Sequence, residues 1–405
     1  MNVAFRDAGD KPLPVLPARR PGSTVIVTVE SSLDAAAPAW RQLCAQDAVA
    51  SPYQSFDWIR LWHRYVTAPA GREPVIVIGK DATGAPLFVW PLVTDQRGPL
   101  RLATFFGGKH ATLNMAVWRR DAAQAFNAAD MRNVLSQVAR LRPDLDLIHL
   151  HSQPAVWEGL KNPFMTLPHQ LASEDNFVLN LSGGEATEQQ ISGSMRSRLR
   201  NKERKLAKLK GYRYLRAKSA EDVDRQLSHF FAQKAGKLHA LGIRNAFGQP
   251  GVEEFIRAAC HEGLKSGQPI IELHALECDG DMLALFSGVH DHQRFTSMFN
   301  SHTASDNARQ SPGLILLQHL IADCVRREFA TFDIGPGEAR YKTFFCKDLE
   351  RIYDSTLALS PRGKLAVHGL RAMNWAKGTI KRNPTLWRHA HALRAKWAAG
   401  KNTAE

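Results

Sequence analysis

The loop from Arg309 to Leu314 has the residue types of an anion-binding site. Ser311 is a favoured N-cap residue, and Pro312 suits the first position of a helix. Gly313 lacks a side chain where a ligand would approach the backbone. Because the free N–H groups and the positive dipole end of such a helix face outward, the pattern fits a diphosphate. A capped helix without a ligand is the alternative, since Ser-Pro-Gly starts helices in many contexts.

The elements around this loop place it at the edge of a sheet. Apolar patterning predicts strands at 294–302 and 330–334 with a helix at 312–328 between them. A strand that ends near His302 therefore leads into the helix that begins at Pro312. Upstream, apolar runs at 270–277 and 282–289 flank Cys278-Asp279-Gly280-Asp281, which predicts a hairpin.

The first half of the chain repeats this order of elements. Strands at 74–79 and 86–93 flank an Asp- and Gly-containing turn, with helices before them and a helix and a strand after them. Two copies of one mixed α/β unit are therefore predicted. After its hairpin the first copy has Gly107-Gly108-Lys109-His110 and a strand-like run rather than a helix. Only the second copy is expected to have the anion site.

The net charge of +14 is concentrated in two segments. Residues 196–210 contain eight Lys or Arg residues against Glu203 alone, and residues 361–404 contain ten cations and no acidic residue. The rest of the chain is close to neutral, which argues against an enveloping nucleic-acid surface.

The ends of the chain and its cysteines indicate the compartment. Residues 1–22 are proline-rich and lack periodicity, so we expect a flexible leader. Neither a signal-peptide core nor a run of ~18 apolar residues is present. The five cysteines are scattered, with no C-x-x-C pair and no Cys/His ligand spacing, which predicts reduced thiols in the cytoplasm and no metal site.

Several motifs together resemble a known family. Gln310-x-x-Gly313 is similar to a degenerate form of the pyrophosphate loop of GNAT acyltransferases, with Ile315 where that family has a small residue. Ser311-Pro312-Gly313, Phe332-Asp333-Ile334-Gly335 and Tyr341-Lys342 resemble, in order and spacing, the acetyltransferases linked to bacterial cellulose and polysaccharide synthesis. Over about 25–360, the resemblance implies two tandem GNAT-like units, as in Fem-type aminoacyltransferases, each a twisted, mostly antiparallel sheet flanked by helices.

The resemblance also implies roles for individual residues. Acetyl-CoA or another acyl-CoA would be the co-substrate, and Tyr341 would protonate its departing thiolate. Direct acyl transfer needs a base, for which Asp333, Glu338, His302 and His290 are the candidates. Asp333 and Glu338 are favoured because they cluster with Tyr341 in the sequence, although Asp333 could instead brace the glycine turn that follows it. Lys342 would neutralise phosphate or extend along the surface. The residues implied to contact the pyrophosphate are Arg309, Gln310, Ser311, Pro312, Gly313 and Leu314.

The expected organisation is a leader (1–22), an N-terminal unit (23–175), a C-terminal acyltransferase unit (176–360) and a basic tail (361–405). The enzyme would transfer an acyl group to the amine or hydroxyl of a small molecule or saccharide; an aminoacyl-tRNA-dependent transferase and a non-catalytic binding protein are the alternatives. The basic stretch at 195–210 is a solvated face, a wall for an anionic substrate or an RNA contact, although nucleic acid is not expected as a partner. Basic, Trp-containing helices in the tail suit the anionic inner membrane face or an acidic partner.

Overall fold

The computed structural model describes residues 24–182, 192–240, 242–278, 281–337, 339, 341–346 and 348–383. The predicted leader, the candidate base Glu338 and the tail beyond Asn383 lie outside the described residues. Within the described part, the predicted fold class is confirmed: two mostly antiparallel sheets are flanked by helices.

The first sheet has the strand order β1-β3-β4-β5-β7-β18-β10, with β6 paired to both β4 and β2. Its strands are β1 (Ile26–Glu30), β2 (Ala48–Val49), β3 (Pro74–Lys80), β4 (Pro86–Arg97), β5 (Leu100–Phe105), β6 (Val117–Arg119), β7 (Leu147–Pro154), β10 (Gln170–Leu171) and β18 (Ile352–Ala358); β8 (Val156–Trp157) and β9 (Leu160–Lys161) form a separate hairpin. The helices of this unit are α1 (Leu33–Cys44), α2 (Phe56–Trp62), α3 (Arg120–Ala125) and α4 (Ala128–Leu141).

The second sheet has the strand order β12-β13-β14-β15-β16-β11-β17. Its strands are β11 (Asn176–Asn180), β12 (Arg213–Arg216), β13 (Glu272–Cys278), β14 (Asp281–His290), β15 (Arg294–His302), β16 (Thr331–Pro336) and β17 (Asp348–Glu350). The helices of this unit are α5 (Gly193–Leu206), α6 (Ala220–Ala240), α7 (Val252–Ser266), α8 (Pro312–Arg326) and α9 (Lys342–Phe345), and α10 (Pro361–Arg382) follows β18.

The two units share one arrangement of strands. In each, an antiparallel hairpin is followed by a third strand that pairs in parallel with a fourth strand for three residues. Leu102–Thr104 of β5 pair with Leu147–His149 of β7, and Arg294–Thr296 of β15 pair with Thr331–Asp333 of β16. The duplicated α/β unit seen in the sequence pattern is therefore present in the fold.

A common core joins the units. Helices α1 and α2 of the first unit and α6 and α7 of the second contribute to one buried apolar cluster. The rings of Trp58 and Trp62 each lie 5.0 Å from the ring of Phe255 in edge-on geometry, which is favourable for aromatic pairs. Gly251, with φ of 79°, allows this approach, because a Cβ there would lie 1.8 Å from the Tyr65 carbonyl oxygen. The contact between units is thus built into the backbone.

The last strand differs from the expected organisation. The predicted C-terminal unit includes residues 352–360, yet β18 pairs with β7 of the first sheet, with Ile352 opposite Pro154 and Ala358 opposite Leu147. The buried run Leu147–Leu150 gives β18 an apolar partner there. The second unit therefore ends at β17, and the chain returns to the first.

Helix α10 continues from β18. Ser360 accepts a hydrogen bond from the Gly363 N–H and donates one to Asp146 at 2.6 Å, which fixes the start of the helix against the first unit. Its end at Arg382 agrees with the predicted break at Asn383-Pro384. In the part of the chain that the structure describes, no helix is long and apolar enough to cross a bilayer, and no His, Cys, Asp and Glu side chains group as metal ligands.

Candidate active site

The candidate site lies at the end of β15, beyond the residues that pair with β16. The two strands are paired only at their beginnings, and β15 continues from Ser297 to His302 without β16 beside it. On its other side, β15 has one extra residue, Met298, opposite the Ser287–Gly288 step of β14. A bulge of this kind redirects a strand and disturbs its hydrogen bonding. Asn300, Ser301 and His302, at the end of β15, line a cavity of about 370 Å³.

The start of α8 forms one wall of this cavity. Ser311 is the N-cap residue, as predicted, but its φ of 55° is left-handed and its side chain does not cap the helix. Its carbonyl oxygen accepts the Leu314 and Ile315 N–H groups instead. Gly313 lies in the first helical turn, where N–H groups have no partner inside the helix. A Cβ at Gly313 would lie 3.8 Å from the His302 Cβ, so the space beside this glycine belongs to the cavity.

Lys202 of α5 holds the loop before α8. Its Nζ donates to the Ser311 hydroxyl at 2.7 Å and to the Arg309 carbonyl oxygen at 2.9 Å. Glu203, next to it, binds His319 of α8 and the hydroxyl of Tyr212, which fixes α5 against α8. Sequence reasoning treated Lys202 as one of eight cations in a basic stretch. The helical register that turns it toward Ser311 depends on how α5 docks.

Other predicted pyrophosphate contacts differ in position. Pro312 and Leu314 line the cavity with Ser311 and Gly313. The Arg309 side chain is 77% exposed and pairs with Asp306, which accounts for its charge without a ligand. Neither Arg309 nor Gln310 is among the described residues that line the cavity.

Tyr341 and His302 face the same cavity. The phenol of Tyr341 forms a hydrogen bond with the Asn300 side chain, and burial raises its pKa, so it keeps its proton at neutral pH. Burial and the neighbouring Lys237 and Lys234 lower the pKa of His302 below its ordinary value of 6.5. The imidazole is therefore neutral at pH 7 and can accept a proton.

The motif Phe231-Ala232-Gln233-Lys234 supports the end of β15. Gln233 accepts a hydrogen bond from the Ser301 hydroxyl at 2.8 Å, and Lys234 donates to the Asn300 carbonyl oxygen at 3.1 Å. Lys237, one turn further along α6, lines the cavity. Spacing in the sequence alone does not connect these residues to His302.

The contacts of Asp333 indicate a structural role for this residue. Its carboxylate is fully buried, pairs with Arg294 at 2.9 Å and accepts the Gly335 N–H at 2.6 Å. Burial raises the pKa of Asp333, while Arg294 and the Gly335 N–H stabilise the charged form. Arg294 also binds Glu350 and lies over the Trp157 ring of the first unit. Asp333 thus braces the glycine turn, the alternative considered for it, and the expectation of a general base is corrected.

Lys342 also has a different position from the one expected. Its side chain is buried, and its Nζ donates to the carbonyl oxygens of Gly335 and Pro336 at 2.9 and 2.7 Å. Burial lowers its pKa to about 8. Because these bonds occupy the ammonium inside the turn after β16, Lys342 shapes the loop that leads to Tyr341 rather than reaching the phosphate loop.

Comparisons with known proteins identify this fold. Residues 193–343 match the family model of an acetyltransferase (GNAT) domain. Among solved structures, FemX is similar with a TM-score of 0.58 and 10% identity over 84% of this chain and 99% of that one. A conserved protein of unknown function from Bacteroides thetaiotaomicron VPI-5482 has a TM-score of 0.50 and 11% identity over 82% and 100%. At these identities the likeness shows the fold alone, and a search of curated protein sequences gave no match. The chain carries a GNAT acetyltransferase domain and is a transferase.

Proposed function

We propose that the protein transfers an acyl group, with acetyl as the first candidate, from acyl-CoA directly to an amine or hydroxyl. One observation carries the proposal: a single cavity contains the start of α8, a proton donor and a neutral imidazole. The cavity at the end of β15 would have room for a thioester. The GNAT domain match covers all of these residues.

The phosphate end of the donor would bind at the start of α8. Its dipole and the Gly313 N–H would face the pyrophosphate, as anions commonly bind at helix N-termini. Lys202 holds the Ser311 hydroxyl next to the start of α8, and Lys237 adds a positive charge to the cavity lining. Both cations would lower the energy of a bound phosphate.

The reaction needs one proton accepted and one donated. His302 would take the proton of the acceptor N–H or O–H while the acceptor atom forms a bond to the acyl carbon. The tetrahedral oxyanion then collapses, the carbon–sulfur bond breaks, and the thiolate of CoA receives a proton from Tyr341. The protonated His302 and the deprotonated Tyr341 return to their starting states by exchange with solvent. No acyl-enzyme intermediate is required.

A saccharide or cell-envelope precursor is the proposed acceptor class, in the cytoplasm. The motif resemblance to acetyltransferases of cellulose and polysaccharide synthesis supports this choice. Helix α10 supports a location at the inner membrane face, because Leu365 and Trp375 are 83% and 71% exposed on a basic helix. Amphipathic helices with cations and Trp bind anionic bilayers in this way.

Replacement of Gly313 by glutamate tests donor binding. The new side chain would enter the cavity and repel phosphate, so acetyl-CoA affinity in isothermal titration should fall below detection. Gly313→Ala is the matched control, because its Cβ meets only ordinary van der Waals contact. Equal acetyl-CoA affinity of the two variants would refute phosphate binding at the start of α8. Product analysis with labelled acetyl-CoA would then identify the acceptor.

A transferase that uses aminoacyl-tRNA is the competing function, and the basic helix α5 is the observation that favours it. It predicts salt-sensitive binding of tRNA that is lost after charge reversal at Arg198 and Lys202. It also predicts no binding of acetyl-CoA. The two titrations therefore separate the two functions.

A further inference from the structure

The first unit contains a cavity in the position that corresponds to the acyl-CoA cavity of the second. After three paired residues, β5 and β7 separate as β15 and β16 do. The cavity between them has a volume of about 620 Å³, within the range of small-molecule sites of roughly 300–1,000 Å³. Residues 104–110, at the end of β5 and directly after it, line this cavity, as residues 300–302 of β15 line the second cavity.

A glycine turn takes the place of α8 in this unit. Gly107 has a φ of 88°, and a Cβ there would lie 2.5 Å from the Ala111 Cβ and 2.6 Å from the Trp58 ring. The turn leads into a 3₁₀ helix at Gly108–His110 rather than a long helix. No helix dipole is available at this position, so an anion here would be held by side-chain charge.

Unpaired cations surround the cavity. Arg97, Lys109 and Arg244 line it, and none of them has a carboxylate partner among the described residues. Asp95, the one carboxylate of the described lining, is paired with Arg72 at 3.0 Å. The walls therefore have a surplus of three positive charges. Like charges placed together without partners are unfavourable unless a ligand or solvent compensates them.

A buried imidazole also points to a ligand. His110 lines the cavity and is 6% exposed, and its Nε2 has no hydrogen-bond partner among the described residues. A buried polar nitrogen without a partner costs free energy, and a bound molecule would recover it. Burial and the charge of Lys109 lower the pKa of His110 to about 4, so the ring is neutral. Its one N–H is bonded to the Ala246 backbone, which leaves Nε2 as an acceptor for an O–H or N–H of a ligand.

The two cavities are neighbours. Phe247 has its ring 5.0 Å from His110 on one side and 5.6 Å from Phe299 of β15 on the other. The Nζ of Lys234 lies 5.5 Å from the same ring and donates to Asn300, which lines the acyl-CoA cavity. One aromatic side chain thus separates the wall of the first cavity from the strand that borders the second.

We propose that the first-unit cavity is a binding site for a phosphate-bearing small molecule whose phosphate is held by Arg97, Lys109 and Arg244. An O–H or N–H of the ligand donates a hydrogen bond to the His110 Nε2, and this molecule is the acyl acceptor. The assignment as acceptor rests on the proposed function, whereas the phosphate site does not. Trp62 and Phe105 in the same walls would contact an apolar or sugar part of the ligand.

Inorganic diphosphate is the probe, titrated by calorimetry into the full chain. The acyl-CoA cavity is blocked either by saturating CoA or by Gly313→Glu. Diphosphate should still bind the blocked protein, and the double substitution Arg97→Gln with Arg244→Gln should weaken binding at least about tenfold, because charge-assisted hydrogen bonds to phosphate are lost. Lys205→Met is the control, since Lys205 is an exposed cation that is not among the described lining residues of either cavity and its loss should leave diphosphate affinity unchanged.

A second measurement follows the His110 ring by NMR. Bound diphosphate should raise the pKa of His110, and the double substitution should abolish this change. Absence of diphosphate binding to the blocked protein, or equal binding by the double variant, would overturn the proposal. Failure of the proposed function is a separate result, because it would appear as absent acetyl-CoA binding while the Gly313→Glu titration still reports on the first cavity.

Discussion

Replacing Lys202 by methionine should weaken acetyl-CoA binding about tenfold. Its ammonium makes two hydrogen bonds, to the Ser311 hydroxyl and the Arg309 carbonyl oxygen, that hold the loop before α8. Hydrogen bonds to charged groups contribute ~1.5–3 kcal/mol, and partial exposure of Lys202 places it at the lower end. A loss of about 1.5 kcal/mol corresponds to roughly tenfold in the dissociation constant. Calorimetric titration of acetyl-CoA at fixed ionic strength measures it.

A matched variant distinguishes the effect of the Lys202 hydrogen bonds from the effect of losing one positive charge. Lys205 lies on the same helix, is exposed and has no ion pair or side-chain hydrogen bond among the described residues. Lys205→Met removes the same charge and should change affinity less than about twofold, since exposed charges are screened. Equal weakening by both substitutions would refute the bracing role. So would an unchanged affinity after Lys202→Met.

A double-mutant cycle with Ser311→Gly adds a second check. A non-glycine residue in the left-handed region costs ~1–2 kcal/mol, whereas glycine adopts this region freely. The hydrogen bond from Lys202 to the Ser311 hydroxyl helps to offset this cost at Ser311. Lys202→Met should therefore cost less in the Ser311→Gly background than in the parent protein. Additive effects would contradict the contact, because residues that interact directly give non-additive changes.

The remaining predictions concern proton transfer, the buried pair and the tail. Activity should fall as the pH drops through the pKa of His302, which is lowered below 6.5. It should persist to above pH 10, because the pKa of Tyr341 is raised. His302→Gln should remove the acidic limb from the pH profile of kcat/KM. Tyr341→Phe should lower kcat by about 10²–10⁴ with an unchanged acetyl-CoA dissociation constant. Asp333→Asn should reduce the free energy of unfolding by ~3–5 kcal/mol in urea titrations, since Arg294 loses a buried partner, while the pH profile keeps its shape; a lost acidic limb at full stability would restore Asp333 as a base. Glutamate at both Leu365 and Trp375 should abolish cosedimentation with anionic vesicles, and binding that survives would exclude this helix as the contact.

Local sequence signals account for most of the elements but not for their partners. The turn at Asp81 illustrates a strong signal: its carboxylate accepts the Thr83 and Ala85 N–H groups, so the hairpin follows from chemistry within five residues. Strand β18 illustrates a weak one. Its alternation predicts a strand, whereas its pairing with β7 depends on contacts about 200 residues apart, such as that of Asp354 with the Ser152 N–H.

The candidate site shows the same division. Ser311, Pro312 and Gly313 are predictable because cap and helix-start preferences are local. Lys202 and Lys234 are not, since each reaches the site only after a separate helix docks. Asp333 was assigned as a candidate base from its motif, but the neighbour that decides its role, Arg294, is 39 residues away.

The two units cannot be separated without exposing what each covers on the other. A chain limited to the matched domain would lose Trp157 from above Arg294 and the α2 tryptophans from beside Phe255, and it would lack β17, whose Glu350 completes the pair at Asp333. The loop that ends in Tyr341 begins at that pair, because Asp333 holds the Gly335 N–H. The first unit therefore helps to hold Arg294 and the loop that leads to Tyr341 in the candidate cavity. Its own cavity is lined by His110, whose ring packs against Phe247, and Phe247 in turn packs against Phe299 of β15.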